Sequence, residues 1–151
     1  LSPIDEHIAG KRVVLVDDSI VRGTTTKQIV KMMFESGAKE VHVRITAPPI
    51  KFPCFYGIDM ANSKELVAGN HTIEEIGTLI GATSIGYLSI EGAAQAVRDD
   101  GKGFCLACFS GNYPIPVPAD VDKMAFEDGG HTGEFEAVGL KQLPLFDVTG
   151  S

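Results

Sequence analysis

The apolar residues of this chain change their spacing several times, and each change marks an element. Residues 12 to 18 read Arg-Val-Val-Leu-Val-Asp-Asp. Four consecutive apolar positions, rich in β-branched residues and closed by a polar turn, predict a strand buried on both faces. From Thr24 to Ser36 the spacing lengthens. Ile29 with Met33, and Val30 with Phe34, form two i, i+4 pairs on one stripe, which predicts a helix with Met32, Met33 and Phe34 in the core. Gly37 is placed to end it. Glu40 to Ala47 alternates, with Val41, Val43 and Ile45 on one side and His42 and Arg44 on the other, as a strand does.

Pro48 and Pro49 stop that strand, and the residues from Lys51 to Asn62 read as an ordered loop. Ser63 suits the cap of a short helix through Ala68. Thr72, with Glu75 three residues on, has the spacing of a capping box for a helix ending near Gly81. Ser84 to Leu88 predicts a further short strand, and Ser89 to Arg98 a helix. Strand and helix therefore alternate through about residue 98, which predicts an α/β fold built on a parallel sheet.

The end of the chain is different. From Tyr113 onward there are seven acids against two lysines, a net of -5 out of the whole chain's -7. Pro114, Pro116, Pro118 and Gly129-Gly130 add breakers. Residues 119–151 are expected to form an acidic tail that wraps the surface or stays disordered.

Composition narrows the function classes. The 151 residues suit one domain with a tail, and 44% apolar with 22% charged residues is ordinary for a globular protein. A net charge of -7 argues against a general nucleic-acid binder. No apolar run is long enough for a membrane span and no secretion signal stands at the start, so a cytoplasmic location is expected. The first residue is Leu1, and the chain is expected to be part of something longer.

The chemistry concentrates between Val13 and Thr26. A buried parallel strand delivers its carboxyl end to the crevice where α/β proteins bind ligands. The helix that follows offers unpaired N–H groups and partial positive charge, which suit a phosphate. Gly23 lets backbone approach closely, Thr24 and Thr25 add hydroxyl donors, and Arg22 adds charge at the rim. Asp17 and Asp18 would repel a phosphate unless something lies between. Sugar hydroxyls and an oxygen-seeking Mg²⁺ are the natural intermediaries, so the loop predicts a phosphorylated ribose with Mg²⁺. The bland alternative is an acid pair that caps a helix. A receiver domain would need a phosphoacceptor such as Asp59, but the preceding Pro53-Cys54-Phe55-Tyr56-Gly57 does not read as a buried strand.

The stretch Asp17-Asp18-Ser19-Ile20-Val21-Arg22-Gly23-Thr24-Thr25 resembles the phosphoribosyl pyrophosphate motif of type I phosphoribosyltransferases. In its Ser-Ile-Val-Arg-Gly-Thr-Thr form it is similar to the amidophosphoribosyltransferase family, which opens purine synthesis. Pro53-Cys54-Phe55-Tyr56-Gly57-Ile58-Asp59 and Cys105-Leu106-Ala107-Cys108-Phe109 resemble further family stretches, so the likeness covers roughly residues 1 to 118. It implies that residues 1–98 are the C-terminal part of a phosphoribosyltransferase domain, lacking its N-terminal elements. The implied reaction turns phosphoribosyl pyrophosphate, glutamine and water into 5-phosphoribosylamine, glutamate and pyrophosphate. An N-terminal glutaminase domain, absent here, would supply ammonia, which would leave this piece alone inactive. Asp17 and Asp18 would hold ribose and Mg²⁺; Arg22, Gly23, Thr24 and Thr25 would hold the 5-phosphate. A homo-oligomer is expected, with no nucleic-acid or membrane partner. A nucleobase phosphoribosyltransferase and a sugar-phosphate-binding regulator share the loop and stand as alternatives.

The three cysteines carry a second set of expectations. A lone Cys-x-x-Cys, here Cys105 and Cys108, is a weak metal signal, and three buried inert thiols are the plain reading of the residues alone. The resemblance implies more. One branch of the family holds a 4Fe-4S cluster on four cysteines, and Cys54, Cys105 and Cys108 match three of them. The fourth would lie upstream of Leu1, and residues 99–118 would form the cluster-bearing segment. His7, His42, His71 and His131 have no metal-like spacing.

Overall fold

The computed structural model describes residues 5–58, 62–97 and 103–117. A short helix α1 (Asp5–Ile8) leads into β1 (Arg12–Asp17), followed by α2 (Thr24–Glu35), β2 (Glu40–Ile45), α3 (Val67–Asn70), α4 (Ile73–Ile80), β3 (Ser84–Tyr87), α5 (Ile90–Ala96) and α6 (Ala107–Ser110). The strands form one parallel sheet in the order β1-β2-β3. The predicted α/β class and parallel sheet are both present. Asp17, Ile45 and Tyr87 share the last row of the register, so the carboxyl ends of the three strands finish level.

One face of the sheet is well covered. Val41, Val43 and Ile45, the apolar side of the alternating β2, are 0%, 0% and 3% exposed. They pack with Ile20, Val30, Ile76 and Ile80, which brings α2 and α4 onto the same face. Burial of a whole aliphatic side chain is worth roughly 1.5–3 kcal/mol, so this cluster is the main source of stability for the ligand loop above it.

The opposite face departs from the sequence-based expectation. Val14 and Val16 are 60% and 63% exposed, so β1 is not buried on both faces. It is an edge strand, and among the described residues nothing covers its second side. That face instead carries a polar chain. The Arg12 guanidinium donates to Glu40 Oε2 at 2.6 Å, and the same oxygen lies 2.9 Å from His42 Nε2. His42 Nδ1 in turn lies 2.8 Å from Ser84 Oγ. His42 thus stands on the outward face in a hydrogen-bonded structural role.

Local signals fare better. Thr72 Oγ1 accepts from the Glu75 N–H and the Glu75 carboxylate accepts from the Thr72 N–H, so the capping box of α4 is complete. Ser89 caps α5 through the Gly92 N–H. The helix expected from Ser63 begins later, at Val67, after a turn. Phe34, expected in the core, is 38% exposed at the far end of α2, whereas Val30 is 1% exposed. Arg98, Asp59 and the acidic tail 119–151 lie outside the described residues.

Candidate functional site

Two places gather the residues that the sequence singles out. The first is the loop between β1 and α2. Asp17 ends β1 with one carboxylate oxygen accepting from the Asp18 N–H at 3.0 Å. Asp18 Oδ1 accepts from the Ser19 N–H at 2.6 Å and from its hydroxyl at 3.3 Å. Each carboxylate therefore spends one oxygen on holding the turn and keeps the other unengaged. Ile20, 2% exposed, plugs the loop into the core, and the Val21 carbonyl accepts from the Val67 N–H at 2.9 Å. These two anchors fix the path of the backbone from the acid pair to the helix.

Gly23 is the N-cap of α2, with φ 78° and no side-chain cap. Helices α4 and α5 both start under a hydroxyl cap, but α2 does not, so its first-turn N–H groups are left without a side-chain acceptor. The Thr24 and Thr25 side chains are exposed and their hydroxyls are unpartnered. Thr26, by contrast, is 3% exposed and faces the core. An uncapped helix start with positive partial charge, a glycine before it and two free hydroxyls form a good anion cradle.

Arg22 behaves differently from the simplest expectation. Its guanidinium makes a two-bond pair with Glu65, at 3.1 and 3.2 Å, on the exposed side of the loop. This pair holds the Glu65 carboxyl below its usual range, through the Arg22 hydrogen bond first. Arg22 thus reaches α3's approach, not the Asp pair. On this flank a cavity of about 300 Å³ is lined by Arg22, Gly23 and Thr24 together with Lys27, Lys64 and His71. Lys27, Lys64 and Glu65 went unnoticed in the sequence because residues 27 and 64 meet only through the fold.

The second place joins the loop after β2 to the segment around α6. The Cys108 carbonyl accepts from both the Lys51 and Phe52 N–H groups at 3.0 Å. The Tyr113 hydroxyl donates to the Pro53 carbonyl at 2.7 Å. The Tyr56 hydroxyl donates to the Ile115 carbonyl at 2.8 Å and accepts from the Ile115 N–H at 3.1 Å. These bonds bring Cys54 toward Cys105 and Cys108. All three are free thiols, and the Tyr56 N–H lies 3.4 Å from Cys54 Sγ. Burial pushes the Cys108 thiol up, and Cys54 and Cys105 push it further. Tyr113 is raised as well, by burial first and then by the neighbouring thiols.

Metal chemistry can be tested against both places. Among the described residues no set of three or more His, Cys, Asp or Glu stands in a metal-holding arrangement. Two carboxylates with one unengaged oxygen each do fit Mg²⁺, which binds through one or two carboxylates and takes its other oxygens from water and substrate. Cys54, Cys105 and Cys108 lie near enough to influence one another's thiols but do not stand in a metal-holding arrangement; their chemistry alone, soft thiols, is of the kind that an iron–sulfur group takes. No helix among the described residues is long and apolar enough to cross a membrane.

Known proteins resemble this chain in sequence and fold. No family model matches the chain. It is 55% identical over 119 residues to the amidophosphoribosyltransferase of Archaeoglobus fulgidus, covering 78% of this chain and 26% of the relative. The Methanocaldococcus jannaschii enzyme of the same name is 60% identical over 117 residues, covering 78% and 24%. Among solved structures, the glutamine phosphoribosylpyrophosphate amidotransferase of Bacillus subtilis, complexed with ADP and GMP, superposes with a TM-score of 0.74. It is 50% identical over 80% of this chain and 28% of that one. By sequence and by fold the chain belongs to the amidophosphoribosyltransferase family, and it spans about a quarter of the length of the relatives it matches.

Proposed function

We propose that this chain is the part of a cytoplasmic amidophosphoribosyltransferase that grips the ribose 5-phosphate of phosphoribosyl pyrophosphate. The intact enzyme would combine that substrate with glutamine and water to give 5-phosphoribosylamine, glutamate and pyrophosphate, the first step of purine synthesis. The observation that carries the reading is the β1–α2 loop. A pair of half-engaged carboxylates, Asp17 and Asp18, lies seven and six residues before the uncapped helix start at Thr24, with its left-handed glycine and two free hydroxyls.

Each residue has a task in this reading. The unengaged oxygens of Asp17 and Asp18 accept hydrogen bonds from the ribose hydroxyls, which fixes the sugar ring. The backbone N–H groups from Arg22 to Thr25 and the Thr24 and Thr25 hydroxyls hold the 5-phosphate. Gly23 keeps that cradle open. Arg22 contributes its backbone, while its side chain braces the loop against Glu65. Together they fix the anomeric carbon in place for attack by ammonia from a glutaminase domain elsewhere in a longer polypeptide. This is catalysis by positioning and electrostatics, with no covalent bond to the enzyme. A Mg²⁺ ion held by Asp17 and Asp18 would supply charge neutralisation for the leaving pyrophosphate. Cys54, Cys105 and Cys108 would hold three corners of a 4Fe-4S cluster that acts as a structural crosslink. The whole enzyme is expected to assemble as a homo-oligomer.

The test uses the longer polypeptide that carries both activities. Replacing Asp17→Asn together with Asp18→Asn should cut phosphoribosylamine synthesis by about a hundredfold or more, roughly 3 kcal/mol at about 1.4 per tenfold. Basal glutamine hydrolysis should stay near normal, because it belongs to a different domain. A double variant that still makes phosphoribosylamine at the parental rate would show that the ribose lies elsewhere.

A further inference from the structure

The thiol locality contains a side chain with no assigned task. Tyr113 lies five residues beyond Cys108, yet it brackets Cys54 from both sides. Its hydroxyl donates to the carbonyl of Pro53, the residue before Cys54, at 2.7 Å. Its ring meets the edge of Phe55, the residue after Cys54, with centroids 5.3 Å apart, and that of Tyr56 at 6.0 Å. The other contacts between the two segments act away from Cys54. The Cys108 carbonyl holds Lys51 and Phe52, and Tyr56 holds Ile115. Gly111 completes the fit: it has φ +77°, and a Cβ there would come within 2.9 Å of the Phe52 ring.

The residues directly flanking Cys54 are not held by regular secondary structure. Residues 51 to 58 include no helix or strand, and Pro53 donates no backbone hydrogen bond. A loop of this kind samples many conformations unless side chains tie it down. Cys105 and Cys108, in contrast, are held at a fixed spacing by the first residues of α6, whose start they flank. How near Cys54 comes to the other two sulfurs therefore depends on where its loop docks, and Tyr113 is the side chain that contacts the residues on either side of it.

We infer that Tyr113 is the positioning residue of this thiol site, placing Cys54 against the Cys105–Cys108 pair so that the three sulfurs can share one metal group. The inference rests on the reading of these cysteines as iron–sulfur ligands, but its main test does not need the metal. The reduced 151-residue chain is treated with a short-reach bis-alkylating reagent and the joined cysteine pairs are identified by peptide mapping. In the parent, Cys54 should be joined to Cys105 or Cys108. Tyr113→Phe keeps the ring and removes only the hydroxyl. It should lower the Cys54 crosslinks about fivefold, the equilibrium equivalent of one net hydrogen bond. The Cys105–Cys108 crosslink within one segment should keep its yield, and this split separates loss of docking from loss of folding. Tyr113→Ala, which also removes the ring, should lower Cys54 crosslinking further. If Cys54 crosslinks equally well in the parent and in both variants, Tyr113 does not position it and the proposal is wrong.

A second readout separates this proposal from the cluster reading. The longer polypeptide, purified anaerobically, is assayed for iron and sulfide per chain and for the rate at which its visible absorbance bleaches in air. Tyr113→Phe should bleach faster than the parent, while Tyr56→Phe, which removes only the hydroxyl's bonds to Ile115, changes the rate less. A parent that binds no iron would refute the cluster reading, and the crosslinking result would then decide the role of Tyr113 by itself. Equal bleaching of parent and Tyr113→Phe in an iron-loaded protein would overturn the positioning role.

Discussion

In the proposed reading Gly23 serves both fold and ligand. Its φ of 78° lies in the left-handed region, where a side chain costs about 1–2 kcal/mol. A Cβ built there would meet Ile80 and Ile20 only at 3.6 and 3.7 Å, ordinary contact distances. Gly23→Ala should therefore fold, losing about 1 kcal/mol to backbone strain without a packing penalty. Its effect on ligand should be larger than its effect on stability, because the methyl group stands at the mouth of the phosphate cradle. Denaturant unfolding and ribose 5-phosphate binding, measured on the same variant, check this. A variant as stable as its parent would show that a side chain costs nothing at this backbone conformation, and unaltered binding would remove Gly23 from the cradle. Gly23 and its two threonines were legible from sequence because glycine before a hydroxyl-rich helix start is a local pattern. The pairing of Arg22 with Glu65 was not, since the two are 43 residues apart and exposed charged residues offer many possible partners.

The elements differ in how much of them the sequence disclosed, and the difference follows the range of the forces involved. The alternation of Val41, Val43 and Ile45 is set by the pleat of a single strand, and all three are buried as expected. The capping box of α4 needs only Thr72 and Glu75. Strand β1 departs from its sequence pattern because an unbroken apolar run such as Val13 to Val16 is typical of a strand covered on both sides, whereas here Val14 and Val16 lie open. The docking of α6 onto the loop after β2 depends on contacts across some 57 residues, from Lys51 to Cys108, which no periodicity reports. The capping box also makes a pH prediction. The Glu75 carboxyl is held below its ordinary 4.5, by the Thr72 backbone hydrogen bond first. A carboxyl lowered in the folded state adds stability above that value, and the contribution is lost as pH falls through the folded value. Glu40 and Glu65 are lowered in the same direction by their hydrogen-bonded partners. The thermal midpoint should thus decline on acidification below about pH 4.5, the ordinary carboxyl value. Glu75→Gln, which can still accept from Thr72 but cannot titrate, should flatten part of that decline. An acid limb identical in parent and variant would show that the box contributes nothing to it.

At the scale of the whole molecule, the proposed reading makes the described residues one part of a binding site. A sheet covered on one face carries an acid pair at the carboxyl end of β1 and an uncapped helix start just beyond it, while among the described residues the second face of β1 stays open. In the proposed reading, the rest of the enclosure, the glutaminase and the fourth thiolate would belong to other parts of a longer polypeptide, since this chain spans about a quarter of its relatives' length. The central claim can nevertheless be tested on this chain alone. Ribose 5-phosphate with Mg²⁺ is titrated into the isotope-labelled protein, and backbone amide shifts are followed by NMR. The account predicts the largest saturable shifts at the amides of Arg22, Gly23, Thr24 and Thr25, with smaller ones at Asp17 and Asp18. Without Mg²⁺ the changes at the two aspartates should weaken more than those at the helix start. Saturable shifts centred on other residues, with the amides from Arg22 to Thr25 unmoved, would contradict it.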